Sequence, residues 1–370
     1  MTQRLVAAFL AVPTILALLV FVGTQKLFFA TYSPGGTLDV LGTTAALGGP
    51  SGTDATDVIQ VAGHPVYRDD GELRMTTVAV SQPASPGETP GLSLFELMTD
   101  WFDSDRAVYP YDVVHAPDET PESSRQEGAE QMATSQDSAV EVALREMGIE
   151  VPQVLKVAGV TDGLPADGKL VVGDILRSVD GTAIEDDRAL VSAIRSQPAG
   201  TELRIGIERM GKPMTVTVRT VPADGVPVIG IQPGYDYDFP FDVSIDIDPN
   251  IGGPSAGLIF SLAVYDTLTP GSLTGGRDVA GTGEIAPDGS VGPIGGIQQK
   301  IAGARDDGAD LFLVPIDNCA DALAADNNGD MRLMMATTMH EVRLALEEYA
   351  QDPDADLPSC EDADAVRAAS

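Results

Sequence analysis

The stretch Ile251-Gly-Gly-Pro-Ser-Ala-Gly257 decides how this chain folds. Before it, residues 241–248 alternate apolar and polar side chains, which is typical of a half-buried β-strand. After it, residues 258–268 are apolar nearly all round, which indicates a buried helix. Ser255 therefore stands where a strand turns into a helix, beside N–H groups of the first helical turn that suit a developing oxyanion. A nucleophilic serine and an ordinary helix N-cap both fit this position.

The stretch from Gly292 to Ala304 supplies a second candidate residue. A helix pattern follows its glycines, and Ile297, Ile301 and Ala304 define a buried face that Lys300 shares. Lysine is rarely buried without a reason. Lys300 either snorkels, with its ammonium group in water, or is desolvated, which lowers its pKa and suits it to be a general base.

Three motifs, in this order and spacing, resemble the proteolytic domain of Lon proteases: Gly-Pro-Ser255-Ala-Gly, Ala280-Gly-Thr-Gly-Glu-Ile285 and Gly292-Pro-Ile-Gly-Gly-Ile-Gln-Gln-Lys300. The resemblance implies a Ser–Lys dyad in which Ser255 is the nucleophile and Lys300 the general base. It also implies that Thr282 supports the dyad. We expect the backbone around Gly253, Pro254 and Ser255 to help hold the oxyanion.

The longer string, with an upstream apolar run and a PDZ-like segment, resembles more closely the membrane-anchored, ATP-independent Lon-like PDZ proteases of Gram-positive bacteria. This resemblance implies protein or peptide substrates, a homo-oligomeric ring and no cofactor. Residues 206–212 fit most of an ATP-binding loop pattern, but Pro213 stands where a Ser or Thr is needed and the stretch alternates like a hairpin. We therefore expect no use of ATP.

The composition of the chain argues against two classes of function, nucleic-acid binding and metal binding. The 370 residues include 56 acidic and 22 basic side chains, a net charge of −34, which argues against nucleic-acid binding because phosphate contacts need a basic face. Cys319 and Cys360 show no metal-ligand spacing, so we expect no metal site. The two cysteines could pair if the body lies outside the cytoplasm. Against this, Cys360 lies in residues 350–370, which we expect to be an acidic, disordered tail.

Residues 1–30 are interpreted as an N-terminal transmembrane anchor. The run from Leu5 to Gly23 is long enough for one bilayer crossing, with Arg4 before it and Lys26 after it. The alternative, a cleaved signal peptide, normally has a shorter apolar region and a small-residue cleavage site. Arg4 favours a cytoplasmic N-terminus, which predicts a single-pass protein of the cell membrane with an extracytoplasmic body.

The next segments are predicted as the first part of the protease domain, residues 57–147, after a linker over residues 31–56. Residues 57–82 have the pattern of a β-hairpin. Residues 83–130 are an acidic excursion around an aromatic patch, which is either a surface feature that packs its own aromatic rings or a lid or membrane-proximal wing. Residues 130–147 have the apolar stripe of a helix.

Residues 148–222 resemble a PDZ domain, and residues 223–349 are expected to be the Lon-like proteolytic domain with the dyad. The PDZ match depends on Leu164-Pro-Ala and Gly173-Asp-Ile-Leu, and its carboxylate-binding loop is placed near residues 147–150. PDZ modules bind extended peptides at an exposed sheet edge. The order of parts favours a PDZ-like domain inserted into the protease domain over a tandem of separate modules.

The sequence thus predicts an α+β protein with a Lon-type proteolytic domain, a PDZ-like domain and one N-terminal transmembrane helix. The leading functional prediction is a membrane-anchored, ATP-independent serine endopeptidase that uses Ser255 and Lys300. A non-catalytic PDZ adaptor on a degenerate protease scaffold is the alternative, although both dyad positions are filled.

Overall fold

The computed structural model describes residues 3–44, 56–85, 87–117, 119–223, 225–325 and 327–369. The chain forms two compact units. The larger unit contains the residues up to Gly148 together with those from Phe241 onward, and the inserted unit is Ile149–Pro240. The inserted unit therefore interrupts the larger unit between a helix and the strand that leads to Ser255.

The helices, in chain order, are α1 Gln3–Gly23, α2 Leu94–Trp101, α3 Tyr111–Val114, α4 Pro121–Glu146, α5 Asp187–Arg195, α6 Gly257–Leu268, α7 Ile297–Asp306, α8 Cys319–Ala325, α9 Met339–Gln351 and α10 Ala363–Ala369. The strands are β1 Lys26–Leu27, β2 Phe29–Asp39, β3 Ile59–Ala62, β4 Glu72–Val80, β5 Leu92–Ser93, β6 Ala107–Pro110, β7 Gln153–Val160, β8 Ile175–Val179, β9 Thr182–Ala183, β10 Glu202–Arg209, β11 Lys212–Arg219, β12 Val221–Ala223, β13 Val226–Val228, β14 Ile231–Tyr237, β15 Asp242–Ile245, β16 Asp278–Gly281, β17 Glu284–Ile285, β18 Val291–Gly292, β19 Leu311–Pro315 and β20 Arg332–Ala336.

The main sheet of the larger unit has the strand order β20-β19-β16-β4-β2-β6. The four strands from β20 to β4 are parallel, and β2 and β6 are antiparallel additions at one side. β19 is buried along its whole length, as expected for a strand covered on both faces. Phe312 packs in one cluster with Ile301 of α7, while Leu313 points to the other face, where Ile259 of α6 lies. The unit is mixed α/β, and its parallel core places α6 and α7 on opposite faces of the sheet.

The predicted hairpin over residues 57–82 is wrong. β3 pairs with β15, whereas β4 pairs with β2 and β16. The predicted linker over residues 31–56 is also wrong for its first part, because β2 occupies Phe29–Asp39. The glycines that suggested a linker instead form a bulge after Pro34 and permit close packing: the Gly35 carbonyl oxygen would lie 2.5 Å from a Cβ atom on Gly303 of α7. Residues 45–55 of the predicted linker lie outside the described part of the chain.

The region 83–130 is built into the larger unit rather than forming a separate surface excursion. β6 joins the main sheet beside β2, and Tyr109 packs against Tyr32 with ring centroids 5.2 Å apart. The helix expected at 130–147 begins earlier, because α4 starts at Pro121 with Thr120 as its N-cap. Its first turns were missed because the apolar stripe begins only at Met132.

The inserted unit is a sheet of order β11-β10-β8-β7-β14 with α5 packed against it, around buried apolar residues such as Leu176, Leu190 and Ile205. Its boundary lies beyond the predicted 148–222. β14 pairs with β7 and is the edge strand of this sheet. Residues 223–240 therefore belong to the inserted unit and not to the proteolytic domain as predicted.

The expected disordered tail is ordered over most of its length. Cys360 forms a disulfide with Cys319 at the start of α8, and α10 follows. The backbone N–H of Met335 in β20 donates to Pro358 O, 2.8 Å away. The disulfide and this strand contact hold an acidic segment that its composition alone would leave unfolded.

α1 covers the predicted apolar run, and its side chains from residue 11 to residue 22 are exposed. Within the described part of the chain, no helix is both long enough and apolar enough to cross a membrane.

Candidate active site

Ser255 lies in the turn between β15 and α6, which we call the nucleophile turn, residues 251–256. The residue at the N-cap of α6 is Ala256, and no side chain caps this helix. The N-cap interpretation of Ser255 is therefore wrong. The turn needs glycine at Gly253, where φ is +94°. Ser255 is half-buried beside the N-terminus of α6, a largely apolar and buried helix.

Lys300 reaches Ser255 from helix α7, which lies on the other face of the sheet from α6. The Lys300 side chain is 2% exposed, so it does not snorkel. Its Nζ atom donates to Ser255 Oγ at 2.7 Å and to Thr282 Oγ1 at 2.9 Å. Thr282 Oγ1 in turn donates to the Ser255 carbonyl oxygen at 2.9 Å. The structure thus brings together the three side chains that the sequence singled out.

Burial lowers the pKa of the Lys300 amine to about 7. The negative charge of Glu284 opposes this decrease but does not cancel it. Burial also raises the pKa of the Glu284 carboxyl group. An amine with a pKa near neutral is present in its unprotonated form in a large share of molecules, so it can accept the proton of a hydroxyl group that lies 2.7 Å away.

The predicted oxyanion donors need correction. The N–H of Gly253 already donates to Gly128 O at 2.9 Å, and proline has no N–H to offer at Pro254. Among the described residues, no acceptor is found for the N–H groups of Ser255 and Ala256, which lie at the positive end of α6. These two groups are better placed to hold a developing oxyanion.

A cavity of about 290 Å³ opens at Ser255 and Lys300. One wall is the second half of β4, residues 75–79, and another is the nucleophile turn. β16 ends its pairing with β4 at Met75, so in the described structure no strand continues along that side of β4 beyond Met75. An extended backbone placed in the cavity would find unpaired N–H and C=O groups along this edge.

A second concave site lies in the inserted unit, between α5 and the start of β14. It is lined by Leu190, Val191 and Ile194 of α5 and by the segment 228–231, and its volume is about 320 Å³. Gly230 in that segment has φ +83°. The residues near which the carboxylate-binding loop was predicted, 147–150, are not among those that line this site. Residues 147–148 close the end of α4 in the larger unit, whereas the loop that opens onto α5 precedes the edge strand β14.

Two segments of the chain match known domain families. Residues 248–348 match the C-terminal proteolytic domain of Lon protease, peptidase family S16. This segment is a Lon-type serine peptidase domain. Residues 140–220 match the PDZ domain.

The curated relatives agree with the first match. Over 88 residues, 24% of this chain, the sequence is 40% identical to 11% of Lon protease 2 from Herpetosiphon aurantiacus. Over 176 residues, 47% of this chain, it is 30% identical to 30% of Lon protease 2 from Bacillus subtilis. The chain thus spans less than a third of the length of these relatives. The PDZ domain of the SdrC-like protein from Listeria monocytogenes is 26% identical over 21% of this chain and 84% of that chain, with a TM-score of 0.20.

Contacts from α4 to the nucleophile turn of the Lon-type domain were missed by the sequence reasoning. Gly128 of α4 accepts from the N–H of Gly253. In addition, Ser135 Oγ of α4 donates to Pro254 O at 3.0 Å. A Cβ atom on Gly252 would lie 2.9 Å from backbone atoms of Gly128, so the two segments touch through glycines. The available signal was Gly128 itself, because a glycine inside a helix costs roughly 1 kcal/mol and usually has a packing reason.

Proposed function

We propose that this protein is an ATP-independent serine endopeptidase in which Ser255 is the nucleophile and Lys300 the general base. The observation that carries the proposal is the 2.7 Å separation of Lys300 Nζ and Ser255 Oγ in a site where the lysine is buried. Burial supplies the unprotonated amine that a base requires, and the hydrogen bond supplies the geometry.

The chemistry follows from these contacts. The neutral Lys300 amine takes the proton of Ser255 as Oγ attacks the peptide carbonyl carbon, and the carbonyl oxygen becomes an oxyanion held by the N–H groups of Ser255 and Ala256. The C–N bond then breaks as the lysine ammonium returns that proton to the leaving amine. Water, activated by the same amine, hydrolyses the acyl-enzyme and frees Ser255. Thr282 keeps the lysine aligned, because its hydroxyl group bridges Nζ and the Ser255 carbonyl oxygen.

We further propose that the substrate binds as an extended peptide along β4. The cavity at the dyad is lined by residues 75–79, whose open side has lost its neighbour β16. A peptide backbone there gains hydrogen bonds without regard to its side chains. This arrangement suits an enzyme that accepts unfolded or extended segments of many proteins.

The proposed location is the outer side of the cell membrane, with attachment through residues 5–23 and the N-terminus in the cytoplasm. The exposed apolar side chains of α1 support attachment, and the Cys319–Cys360 disulfide supports an oxidising compartment. We propose that the groove between α5 and β14 recruits protein substrates. A homo-oligomeric ring remains part of the proposal through the resemblance to Lon proteases.

A kinetic comparison tests the proposal. The wild-type chain and the Ser255→Ala variant are incubated with quenched fluorescent peptides and with a peptidyl boronate, and the boronate adduct is located by mass spectrometry. Ser244→Ala, an exposed serine on β15, is the matched control. We expect hydrolysis and an adduct at Ser255 in the wild type and the control only. Hydrolysis that survives in Ser255→Ala refutes the assignment, and a wild type that binds peptides in the α5–β14 groove without any hydrolysis favours the adaptor alternative.

A further inference from the structure

α2 carries an apolar stripe on its exposed side. Phe95, Met98 and Phe102 follow one another at helical spacing, with Trp101 beside them. The exposed fraction is 53% for Phe95, 50% for Met98, 68% for Trp101 and 81% for Phe102. We call these four residues the aromatic stripe. A soluble protein seldom leaves so many large apolar side chains together in water without a partner.

The side of α2 that faces the protein is, in contrast, partly charged. Asp100 is 6% exposed and accepts from Arg106 at 2.7 Å. The helix therefore buries one carboxylate beside the partly buried Leu94 and Leu97, while its aromatic rings lie on the outward side. This orientation is fixed at the start of the helix by a capping box between Ser93 and Glu96.

The aromatic stripe continues the apolar surface of α1. β1, directly after α1, pairs with β5, directly before α2. The Phe95 ring lies against the end of α1, so that a Cβ atom on Gly23 would be only 2.0 Å from it. In the last turns of α1, Phe21 and Val22 are 62% and 49% exposed. The end of one apolar helix thus meets the start of another exposed apolar face.

We propose that α2 lies in the membrane interface, with its aromatic stripe inserted beside the end of α1. The proposal rests on the proposed membrane attachment of residues 5–23 and adds a second contact to it. Trp and Phe side chains suit the boundary between head groups and acyl chains, and an interfacial helix buries its apolar face by roughly 5–10 Å. A chain of net charge −34 is repelled by anionic head groups, so the partner is a zwitterionic bilayer and the contact is apolar.

This contact would hold the larger unit close to the bilayer. α2 leads through β6 into the main sheet, and β6 pairs with β2 at the side of the sheet that continues to β4 and the cavity. The enzyme would then receive membrane-proximal segments of its substrates in preference to distant ones.

The chain contains one tryptophan, Trp101, so its intrinsic tryptophan fluorescence reports on the stripe alone. The full chain is reconstituted in phosphatidylcholine vesicles, flotation measures attachment, and lipids brominated near the head group or near the methyl end of the acyl chain measure depth. We expect the protein to float and Trp101 to be quenched more strongly by the shallow bromines, and to be shielded from aqueous iodide.

The triple variant Phe95→Ser, Met98→Ser, Phe102→Ser should still float through α1 but lose the lipid quenching of Trp101. Met210→Ser, which removes a methionine that is 90% exposed in the inserted unit, is the matched control and should leave quenching unchanged. Flotation with Trp101 open to iodide and insensitive to bromine would overturn the role of α2 while leaving attachment intact. Absence of flotation would overturn both proposals. Shielding from iodide without lipid quenching would assign the stripe to protein contact, such as a second copy, and would also overturn the proposal.

Discussion

The protonation state of Lys300 should affect both the rate of hydrolysis and the stability of the fold. The pKa of its amine is about 7 in the folded protein and 10.5 for an ordinary lysine. At pH 7 an ordinary lysine is neutral in about one molecule in three thousand, whereas an amine with the lowered pKa is neutral in about half of the molecules. We therefore expect kcat/KM for a short peptide to rise with pH through about 7 and then to level off, because kcat/KM reports the base of the free enzyme.

The same shift determines the sign of the effect on stability. Between about pH 7 and pH 10.5 the unfolded chain binds a proton at Lys300 that the folded protein does not hold. The free energy of unfolding of the wild type should therefore increase relative to Lys300→Met as the pH rises through this range, by roughly 1–2 kcal/mol per pH unit. Below pH 7 the free energy of unfolding carries the full cost of burying the protonated Lys300 amine, which is on the order of 5 kcal/mol.

The assay compares the wild type with Lys300→Met at several pH values. Urea unfolding followed by circular dichroism gives the difference in stability, and hydrolysis of a quenched peptide gives kcat/KM. Lys300→Met should fold and be more stable than the wild type at pH 6, while its kcat/KM falls by roughly 10²–10⁴. Lys212→Met, which changes an exposed lysine, should alter neither quantity.

Two results would refute this reasoning. If kcat/KM of the wild type rises only near the pKa of an ordinary lysine, the amine is not desolvated in solution. If Lys300→Met hydrolyses the peptide at the wild-type rate, another group is the base. A stability difference that does not change with pH would contradict the lowered pKa independently of any kinetics.

Three further predictions concern the contacts around the site. Ser135→Ala removes the hydrogen bond from α4 to the nucleophile turn and should lower the free energy of unfolding by roughly 0.5–1.5 kcal/mol. It should also lower kcat more than it changes KM. An unchanged kcat would show that α4 does not position the turn. Replacing Cys319 and Cys360 by serine opens a loop of 41 residues. The free energy of unfolding, measured with urea, should fall by about 4 kcal/mol, and limited proteolysis should cut first after α9. Equal proteolysis of both forms would show that the tail is held without the disulfide. Val191→Asp in the α5–β14 groove should slow cleavage of whole proteins but not of short peptides, whereas Val172→Asp, at an exposed site away from the groove, should slow neither; a slower peptide reaction would place the groove's effect at the dyad instead.

The contact between Ser255 and Lys300 was predicted from the resemblance to Lon proteases, and the local sequence patterns agree with it. The apolar run of α6 and the i, i+4, i+7 stripe of α7 each specify a buried helix, and both helices pack on one parallel sheet. Lys300 on the buried stripe could reach only the interior, where the turn before α6 presents Ser255. The predicted oxyanion donors included the N–H of Ser255, but the loss of the Gly253 N–H was not predictable, since it donates to Gly128, a residue more than a hundred positions earlier.

The strand pairing was predicted poorly for a related reason. Residues 57–82 contain two strands joined by a good turn, and adjacent strands with such a turn usually pair. Here β4 is an interior strand of a mixed sheet and needs a neighbour on each side, and β16, parallel to it, and β2, antiparallel to it, supply them. β2 was hidden because its Pro34-Gly-Gly bulge looks like a linker, although it serves the close approach of α7 at Gly303.

The position of the inserted unit raises the question of how an active site tolerates it, because both of its connections lead to the nucleophile turn. α4, which touches that turn, ends just before Ile149, and β15, which leads into the turn, begins just after Pro240. Each connection is fixed within the larger unit before it reaches Ser255. Glu146 at the end of α4 accepts from Arg343 of α9 at 2.6 Å, and the Arg343 guanidinium group stacks over Tyr265 of α6.

β15 is held in the same way by its antiparallel pairing with β3. The ion pair of Glu146 and Arg343 is largely shielded from water, with side-chain exposures of 16% and 12%, so breaking it would leave a charge without its partner in a poorly solvated place. Both connections are therefore held by contacts within the larger unit, an ion pair at the end of α4 and a strand pairing at β15. The 2.7 Å contact between Lys300 Nζ and Ser255 Oγ is also made within the larger unit, so its geometry is determined by residues on either side of the inserted unit in the chain and not by residues of that unit.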